Sequence, residues 1–330
     1  MAQRLKLSLA CWDYDRTRSL ADGTVTPDGI DLIYQTLPVE ETFFRMLRYR
    51  EFDAAEMSLS SYTVSLLKDS PFIAIPVFPS RMFRHSSIYV NTKSGIETPQ
   101  DLIGRKIGTP EYQMTAPVWI RGILSDHYGV DAASVEYYCG GEEEPNRDEK
   151  LAITLPEKFH IHRIGPGQTL SQMLADGEID ALHTARKPTT MDSRPGTIRR
   201  LFPDYKEVEQ AYYAETNIFP IMHTVVIRRD VYEKHPWVAM ALFKAFEESK
   251  RRAHENYFET AAMKYMLPWL VAHVEETIET FGKDWWAYGF AENRDQLDVF
   301  LRIHHEQGLS ARKLEPEDLF APECLESFKI

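Results

Sequence analysis

The sequence predicts an α/β protein of two lobes, and three observations lead to this prediction. Short apolar runs alternate with helical patterns through the first third of the chain, which is typical of βα units around a largely parallel sheet. A second set of such units begins near Asn91, and two extended segments, residues 86–91 and 221–229, bracket it. The length of 330 residues is also about twice that of a typical domain.

The first set of units contains four predicted strands and two predicted helices. Apolar runs indicate the strands KLSLACW, IDLIYQTL, FDAAEMS and FIAIPVF. Helical spacing indicates the helices VEETFFRMLRYREF and SLSSYTVSLLKD. In the second set, MTAPVWIRGILSDHYG predicts a helix with Thr115 as its N-cap and Pro117 in its first turn. Strands at VEYYCGG and DALHT flank a further helix, TLSQMLADGEI, which ends near Gly177.

The C-terminal third is predicted to be mostly helical, beginning with the long amphipathic helix that Pro236 opens. We therefore predict lobe 1 from residues 1–90 and 226–330 and lobe 2 from residues 91–225, which is inserted between two crossing strands. Such crossings act as a hinge, and ligands bind between lobes where strand ends and helix N-termini converge.

Composition and charge exclude several classes of protein. The formal net charge is −12, which argues against a nucleic-acid partner. No run of about 18 apolar residues is present, so no membrane span is predicted. Cys11, Cys139 and Cys324 are odd in number and far apart, which indicates reduced thiols and a cytoplasmic location. The apolar run before Cys11 is too short for a signal peptide.

Ionisable residues are concentrated in the loops that follow the predicted strands. Arg81 and Arg84, at the first crossing, offer bidentate donors for a carboxylate. His85 and His223 stand on opposite crossings, where both are expected to face the cleft and to titrate near neutrality, as histidine does when its surroundings leave it unperturbed. Glu56 ends an apolar strand, where burial is expected to raise its pKa and suit an acid or base role. The remaining candidates for ligand binding are Arg16, Tyr112, Thr115, His183 and Arg186.

Each candidate also has a structural interpretation. An arginine can form an ordinary surface ion pair, and Thr115 can be an ordinary N-cap. A histidine can be a structural residue of the core, and Glu56 can pair with an arginine. His160 and His162 lie two apart, but no nearby carboxylate or cysteine completes a metal site. No glycine-rich nucleotide motif follows a strand. We predict neither a metal nor an organic cofactor.

Long segments of the chain resemble the 4,5-dihydroxyphthalate decarboxylase family. These segments extend over nearly the whole chain and are LACWDYDRT, DAAEMSLSSY, FPSRMFRHSSIYVNT, PEYQMTAPVWIRGIL, LFPDY and NIFPIMHTVVIRRDVYEKHPW. The resemblance implies a type II periplasmic-binding-protein-like fold and cofactor-free decarboxylation of 4,5-dihydroxyphthalate to protocatechuate, a step of phthalate degradation and aromatic catabolism. His183, Thr184 and Ala185 stand where the family has Ser-Pro or similar small residues, so a related hydroxylated aromatic acid is also open as the substrate.

The implied reaction suggests a role for most candidates. Arg81, Arg84 and Arg186 are predicted to hold the carboxylates, with Tyr112 and the N–H groups near Thr115 assisting. His85 is predicted to protonate the ring carbon, and Glu56 or His223 to take the phenolic proton. The predicted partner is a small aromatic dicarboxylate, with no nucleic acid and no membrane, and a homo-oligomer stays open. Two alternatives remain: a solute-binding or sensing protein without chemistry, and an enzyme of the same fold that acts on pyrimidine precursors.

Overall fold

The structure, a computed structural model, describes residues 3–147 and 149–326. In chain order the strands are β1 (Leu5–Cys11), β2 (Ile30–Thr36), β3 (Ala54–Ser58), β4 (Phe72–Arg81), β5 (Ile88–Asn91), β6 (Lys106–Thr109), β7 (Glu136–Cys139), β8 (His160–Arg163), β9 (Ala181–His183), β10 (Ile198–Arg200) and β11 (Ile221–Arg228). The α-helices are α1 (Arg18–Ala21), α2 (Val39–Tyr49), α3 (Leu59–Leu66), α4 (Thr115–Tyr128), α5 (Leu170–Asp176), α6 (Thr190–Ser193), α7 (Tyr205–Thr216), α8 (Arg229–Lys234), α9 (Trp237–Glu255), α10 (Leu270–Phe281) and α11 (Arg294–Glu306). The predicted α/β class is confirmed.

The chain forms two compact units. Unit 1 contains the described residues up to Arg81, then His223–Leu297, and the described residues from Glu315 onward. Unit 2 contains Met82–Met222 and Asp298–Leu314. The contacts thus assign 298–314 to unit 2, whereas the sequence analysis placed this segment in lobe 1. The lobe boundaries 1–90, 91–225 and 226–330 stay a prediction.

Unit 1 is built on a five-stranded sheet in the order β2-β1-β3-β11-β4. β1 pairs in parallel with both β2 and β3, whereas β11 is antiparallel to β3, so the sheet is mixed. Every residue of β3 is buried, as expected for a central strand that is covered on both faces. The carboxyl ends of β1 and β3 therefore meet at one edge, where β11 begins.

Unit 2 is built on a six-stranded sheet in the order β10-β5-β9-β6-β7-β8. The strands β6, β7, β8 and β9 are parallel, and β5 and β10 are antiparallel to their neighbours. The carboxyl ends of four strands thus share one edge, and the loops that leave it carry several of the predicted site residues.

Helix α4 shows how the local sequence fixes an element beside this edge. It ends at Gly129, whose φ of 67° is the left-handed conformation that glycine adopts readily. Gly122 lets the helix approach α11 closely, since a Cβ there would lie 2.4 Å from Cδ1 of Ile303. The prediction of Thr115 as N-cap is wrong by one residue: the cap is Met114, and Thr115 is the first helical residue. No helix in residues 3–147 or 149–326 is long and apolar enough to cross a membrane.

Candidate functional site

A buried glutamate and a histidine form the centre of the candidate site in unit 1. Glu56 lies on β3, and the antiparallel register of β11 brings His223 opposite Ser58. Oε1 of Glu56 lies 2.6 Å from Nδ1 of His223 and accepts a hydrogen bond of 2.6 Å from the hydroxyl of Tyr14. Oε2 accepts a hydrogen bond of 3.1 Å from the backbone N–H of Trp12. The loop after β1 and the start of β11 thus converge on one carboxylate.

The environment of Glu56 keeps this carboxylate ionised. Its side chain is fully buried, and burial alone raises the pKa of a carboxyl group. The hydrogen bond and charge of His223, together with the hydrogen bond from Tyr14, outweigh burial and bring the pKa of Glu56 below its ordinary value. The expectation that burial raises the pKa of Glu56 is therefore wrong, because the sequence does not reveal these donors.

The hydrogen-bond pattern also assigns the roles of the two nitrogens of His223. Burial and the charge of Glu56 raise the pKa of Tyr14 well above its ordinary value, so Tyr14 is a donor at neutral pH. Because Glu56 only accepts, Nδ1 of His223 carries a hydrogen, and Nε2 is the nitrogen that carries none in the neutral ring. The His223 side chain is 17% exposed, and the ring of Phe43 packs edge-on against it at 4.9 Å.

Arg16 and Arg81 of unit 1 are held by protein groups. The guanidinium of Arg16 lies 4.1 Å from the ring centre of Tyr14 and 4.3 Å from that of Trp286. It donates to the carbonyl of Pro79 and pairs with Asp15. Arg81 donates to the carbonyl of Ala287 and to the side-chain oxygens of Asn293 and Gln296. The predicted binding of substrate by these two arginines stays a prediction, and their partners favour a structural role.

Arg84 belongs to unit 2, so the predicted pair Arg81 and Arg84 is divided between the units. The guanidinium of Arg84 is buried and contacts Sδ of Met222, a weak acceptor, at 3.2 Å. Its contacts with oxygen are long: 3.4 Å to Oγ of Ser87 and 3.5 Å to the carbonyl oxygen of Ala185. Burial lowers the pKa of Arg84 to about 10, with a partial offset from the charge of Glu209. The contact with Ala185 puts this weakly bonded cation at the carboxyl end of β9.

The same edge carries Glu142 and Thr184, which sequence reasoning missed as site residues. The Thr184 hydroxyl donates to Oε2 of Glu142 and accepts a hydrogen bond of 3.3 Å from the backbone N–H of Arg186. Burial, with a smaller contribution from the charge of Glu143, raises the pKa of Glu142 to about 7. The available signal was the position of Glu142 directly after a predicted strand that ends in Gly140 and Gly141.

His85 lies in an aromatic environment in unit 2. Its ring packs edge-on against Phe202 and Tyr212, both at 5.3 Å, and against Tyr128 at 6.1 Å. Neither ring nitrogen has a hydrogen-bond partner within the described part of the chain. Burial, with a smaller effect from His127, lowers the pKa of His85 to about 4. The expectation that His85 titrates near neutrality is therefore wrong, because burial favours the neutral ring. The acid role of His85 stays a prediction.

The other candidates of unit 2 lie close to its core. Tyr112 is fully buried, donates to the carbonyl of Gln307 at 3.2 Å, and packs against the guanidinium of Arg121 at 3.9 Å. His183 is also buried. Burial, followed by the charge of Arg121, lowers the pKa of His183 to about 3. Thr115 is buried in the first turn of α4.

Within the described ranges, no group of three or more His, Cys, Asp or Glu side chains is placed to hold a metal ion.

Comparison with known proteins identifies the family. The chain is 45% identical over 328 residues to "4,5-dihydroxyphthalate decarboxylase" of Comamonas testosteroni, and the aligned residues cover 99% of each chain. It is 43% identical over 211 residues to the Pseudomonas putida protein of the same name, and the aligned residues cover 64% of this chain and 82% of that protein. The chain belongs to the 4,5-dihydroxyphthalate decarboxylase family. It is therefore an enzyme of the carboxy-lyase class. No family model matches the chain.

Solved structures confirm the predicted fold. The aliphatic sulphonate binding protein SsuA of Escherichia coli matches with a TM-score of 0.53 at 11% identity, over 97% of this chain and 99% of that one. The sulfonate-binding protein SsuA of Methylobacillus flagellatus matches with a TM-score of 0.55 at 12% identity, over 98% and 94%. At such low identity the likeness establishes the fold alone, which is that of type II periplasmic binding proteins.

Proposed function

We propose that this chain decarboxylates 4,5-dihydroxyphthalate to protocatechuate and carbon dioxide. The name and 45% identity of the Comamonas testosteroni relative support this substrate. The observation that supports the chemistry is the hydrogen bond of 2.6 Å between Nδ1 of His223 and the buried carboxylate of Glu56, because it leaves Nε2 to act as a base. The reaction is a step of phthalate degradation.

The substrate itself determines which groups the enzyme has to supply. Each carboxylate of 4,5-dihydroxyphthalate is para to a hydroxyl group, so removal of the phenolic proton moves electron density onto the ring carbon that bears the carboxylate. Protonation of that carbon is followed by cleavage of its bond to the carboxylate, and the electron pair returns to the ring and the phenolate oxygen. Carbon dioxide leaves, and the base returns its proton to the oxygen. The site needs a base, an acid and a cation.

His223 is the base in this proposal, and Glu56 positions it. Nε2 of His223 takes the phenolic proton and later returns it. The anionic Glu56 stabilises the imidazolium that forms in between, through the hydrogen bond at Nδ1. The sequence analysis left Glu56 and His223 as equal candidates for the base. The structure favours His223, because both oxygens of Glu56 already accept hydrogen bonds from protein groups.

Arg84 is the cation that holds the carboxylate of the substrate that is retained. It is buried and has no carboxylate partner at ion-pair distance in the described part of the chain. A buried guanidinium without a directly paired carboxylate is costly, and the charge of Glu209 offsets this cost only in part. A bound carboxylate would offset the rest with charge-assisted hydrogen bonds. This supports the carboxylate role that the sequence predicted for Arg84.

The direct test is turnover of the purified protein. We expect 4,5-dihydroxyphthalate to give protocatechuate and carbon dioxide in equal amounts, measured by liquid chromatography and by trapped carbon dioxide. Phthalate is the matched control compound, because it has both carboxylates but no phenol, and we expect no product from it. Retention of 4,5-dihydroxyphthalate without product would instead support the solute-binding alternative. Loss of turnover after treatment with a chelator would contradict a mechanism carried by side chains alone.

The cytoplasm is the location that we propose for this enzyme. Cys11, Cys139 and Cys324 are buried free thiols, which is typical of proteins in a reducing compartment. Cell fractionation with activity measured in each fraction tests the proposal, and activity confined to the periplasm would contradict it.

A further inference from the structure

Glu142 stands on the edge of unit 2 where the parallel strands end. It follows β7 after Gly140 and Gly141, and Thr184 is the first residue after β9. In α/β sheets the carboxyl ends of parallel strands form the edge that binds ligands. A hydrogen bond between the two side chains ties the two loops of this edge together.

The hydrogen bonds of Thr184 point to Oε1 as the oxygen of Glu142 that carries its proton. The hydroxyl of Thr184 accepts the backbone N–H of Arg186 at 3.3 Å and donates its own proton to Oε2 of Glu142. With Oε2 as an acceptor in this arrangement, a proton on the carboxyl group lies on Oε1. Oε1 is shielded from solvent and has no hydrogen-bond partner among residues 3–147 and 149–326. The oxygen that carries the proton is thus the one without a hydrogen-bond partner in the described part of the chain.

The surroundings of Glu142 make this proton transferable at neutral pH. Burial, with a smaller contribution from the charge of Glu143, raises the pKa of Glu142 to about 7. The hydrogen bond from Thr184 and the charges of Arg186 and Arg147 oppose this rise. Tyr89 of β5 also faces Glu142. A general acid is most effective when its pKa lies near the working pH.

Arg84 contacts the loop that follows β9 in the same unit. Its Nη1 is 3.5 Å from the carbonyl oxygen of Ala185, the residue that follows Thr184. One edge of unit 2 therefore carries both a buried cation for a carboxylate and a carboxyl group with an unengaged proton-bearing oxygen.

We propose that Glu142 is the acid that protonates the ring carbon, an inference that rests on the proposed function. The proton moves from Oε1 of Glu142 to the ring carbon that bears the departing carboxylate. The bond from this carbon to the carboxylate then breaks, its electron pair returns to the ring, and carbon dioxide leaves. Glu142 remains as a carboxylate and regains a proton from water, so the reaction consumes one proton per turnover.

The test compares Glu142→Gln with Glu143→Gln. Glu143 is the adjacent exposed carboxylate and bonds to the backbone N–H and hydroxyl of Thr189, so it controls for loss of negative charge in this loop. We expect kcat of Glu142→Gln to fall at least about 100-fold, the lower end of what a general acid contributes, with KM changed less than about threefold. Glu143→Gln should keep kcat within about threefold, under 0.7 kcal/mol of barrier.

The pH profile of kcat separates an acid from a merely structural residue. In the wild type, kcat should fall as the pH rises above about 7, because Glu142 loses its proton. This decline should persist in Glu142→Asp at a lower kcat and be absent from the residual activity of Glu142→Gln. Circular dichroism and the melting temperature verify that each variant folds. If Glu142→Gln does not fold, the pH profiles of kcat for the wild type and Glu142→Asp test whether Glu142 is the acid.

Two outcomes overturn different statements. A wild-type protein that gives no protocatechuate overturns the proposed function. An active wild type whose kcat shows no decline above neutral pH, or a folded Glu142→Gln that retains kcat and the same decline, overturns only the assignment of Glu142.

Discussion

Replacement of Glu56 by glutamine tests the pair that carries the proposed chemistry. Glutamine keeps the shape of the side chain but turns one acceptor oxygen into a donor. Oε1 of Glu56 faces two donors, Tyr14 and His223, and Oε2 faces the backbone N–H of Trp12. Whichever way the amide is turned, its NH2 group opposes a buried donor. One such mismatch costs about 1–3 kcal/mol of stability, which lowers the melting temperature by about 2–10 °C.

The same replacement should affect catalysis more than stability. If the NH2 group faces Nδ1 of His223, that nitrogen has to accept, and the ring hydrogen moves to Nε2, where the base is needed. In the other orientation the anion that stabilises the imidazolium is still lost. A positioned general base contributes about 10²–10⁴-fold, so we expect kcat of Glu56→Gln to fall at least about 100-fold, with the dissociation constant of the substrate within about threefold.

The assay is formation of protocatechuate from 4,5-dihydroxyphthalate under saturating conditions, with binding measured by calorimetry. Asp53→Asn is the matched control, because Asp53 lies just before the same strand, and its Oδ2 accepts a backbone N–H of β1, that of Ser8, at 2.9 Å. We expect this variant to keep kcat within about threefold. A folded Glu56→Gln that retains kcat would refute the reasoning, and equal losses in both variants would show that the effect is not specific to the pair.

Three further predictions follow from the geometry. Arg84→Gln removes charge-assisted hydrogen bonds worth about 1.5–3 kcal/mol, so KM should rise about 10- to 150-fold; an unchanged KM would exclude Arg84 from substrate binding. His85→Phe should keep kcat within about threefold, because the ring packs among aromatic groups; a hundredfold loss would restore His85 as the acid. The folded-state pKa of Glu142 is raised to about 7, so its stabilising contribution is complete at acidic pH and is lost as the pH rises toward 7. Urea unfolding across this range should show that loss in the wild type and not in Glu142→Gln, and identical pH curves would contradict the raised pKa.

The strands and helices could be predicted from local patterns, because the spacing of apolar residues and the propensity of each residue are properties of short stretches of chain. KLSLACW and FIAIPVF are apolar runs of strand length and are β1 and β4. DALHT became β9, and the helix that Pro236 was expected to open begins at Trp237. The segment 298–314 groups with unit 2, and its helical pattern in the sequence carries no information about which apolar surface it covers.

Candidate site residues were found because strand ends are visible in sequence, whereas their environments are not. Glu56 and His223 were both named, but the sequence could not show that they bond to each other, since 167 positions separate them. Arg81 and Arg84 are three residues apart and nevertheless belong to different units. His85 is a typical proton donor by residue type and turned out to be surrounded by aromatic rings.

The sequence by itself determined the α/β class, most of the strands and helices, the family, and the loops in which the chemistry is to be sought. Only the tertiary structure decided the partners and burial of each ionisable group, which set its pKa and hydrogen-bond direction. Glu56 is ionised because Tyr14, Trp12 and His223 converge on it. Glu142 holds its proton near neutral pH because burial outweighs the nearby arginines. Both outcomes depend on contacts between residues distant in sequence, and no local pattern encodes such contacts.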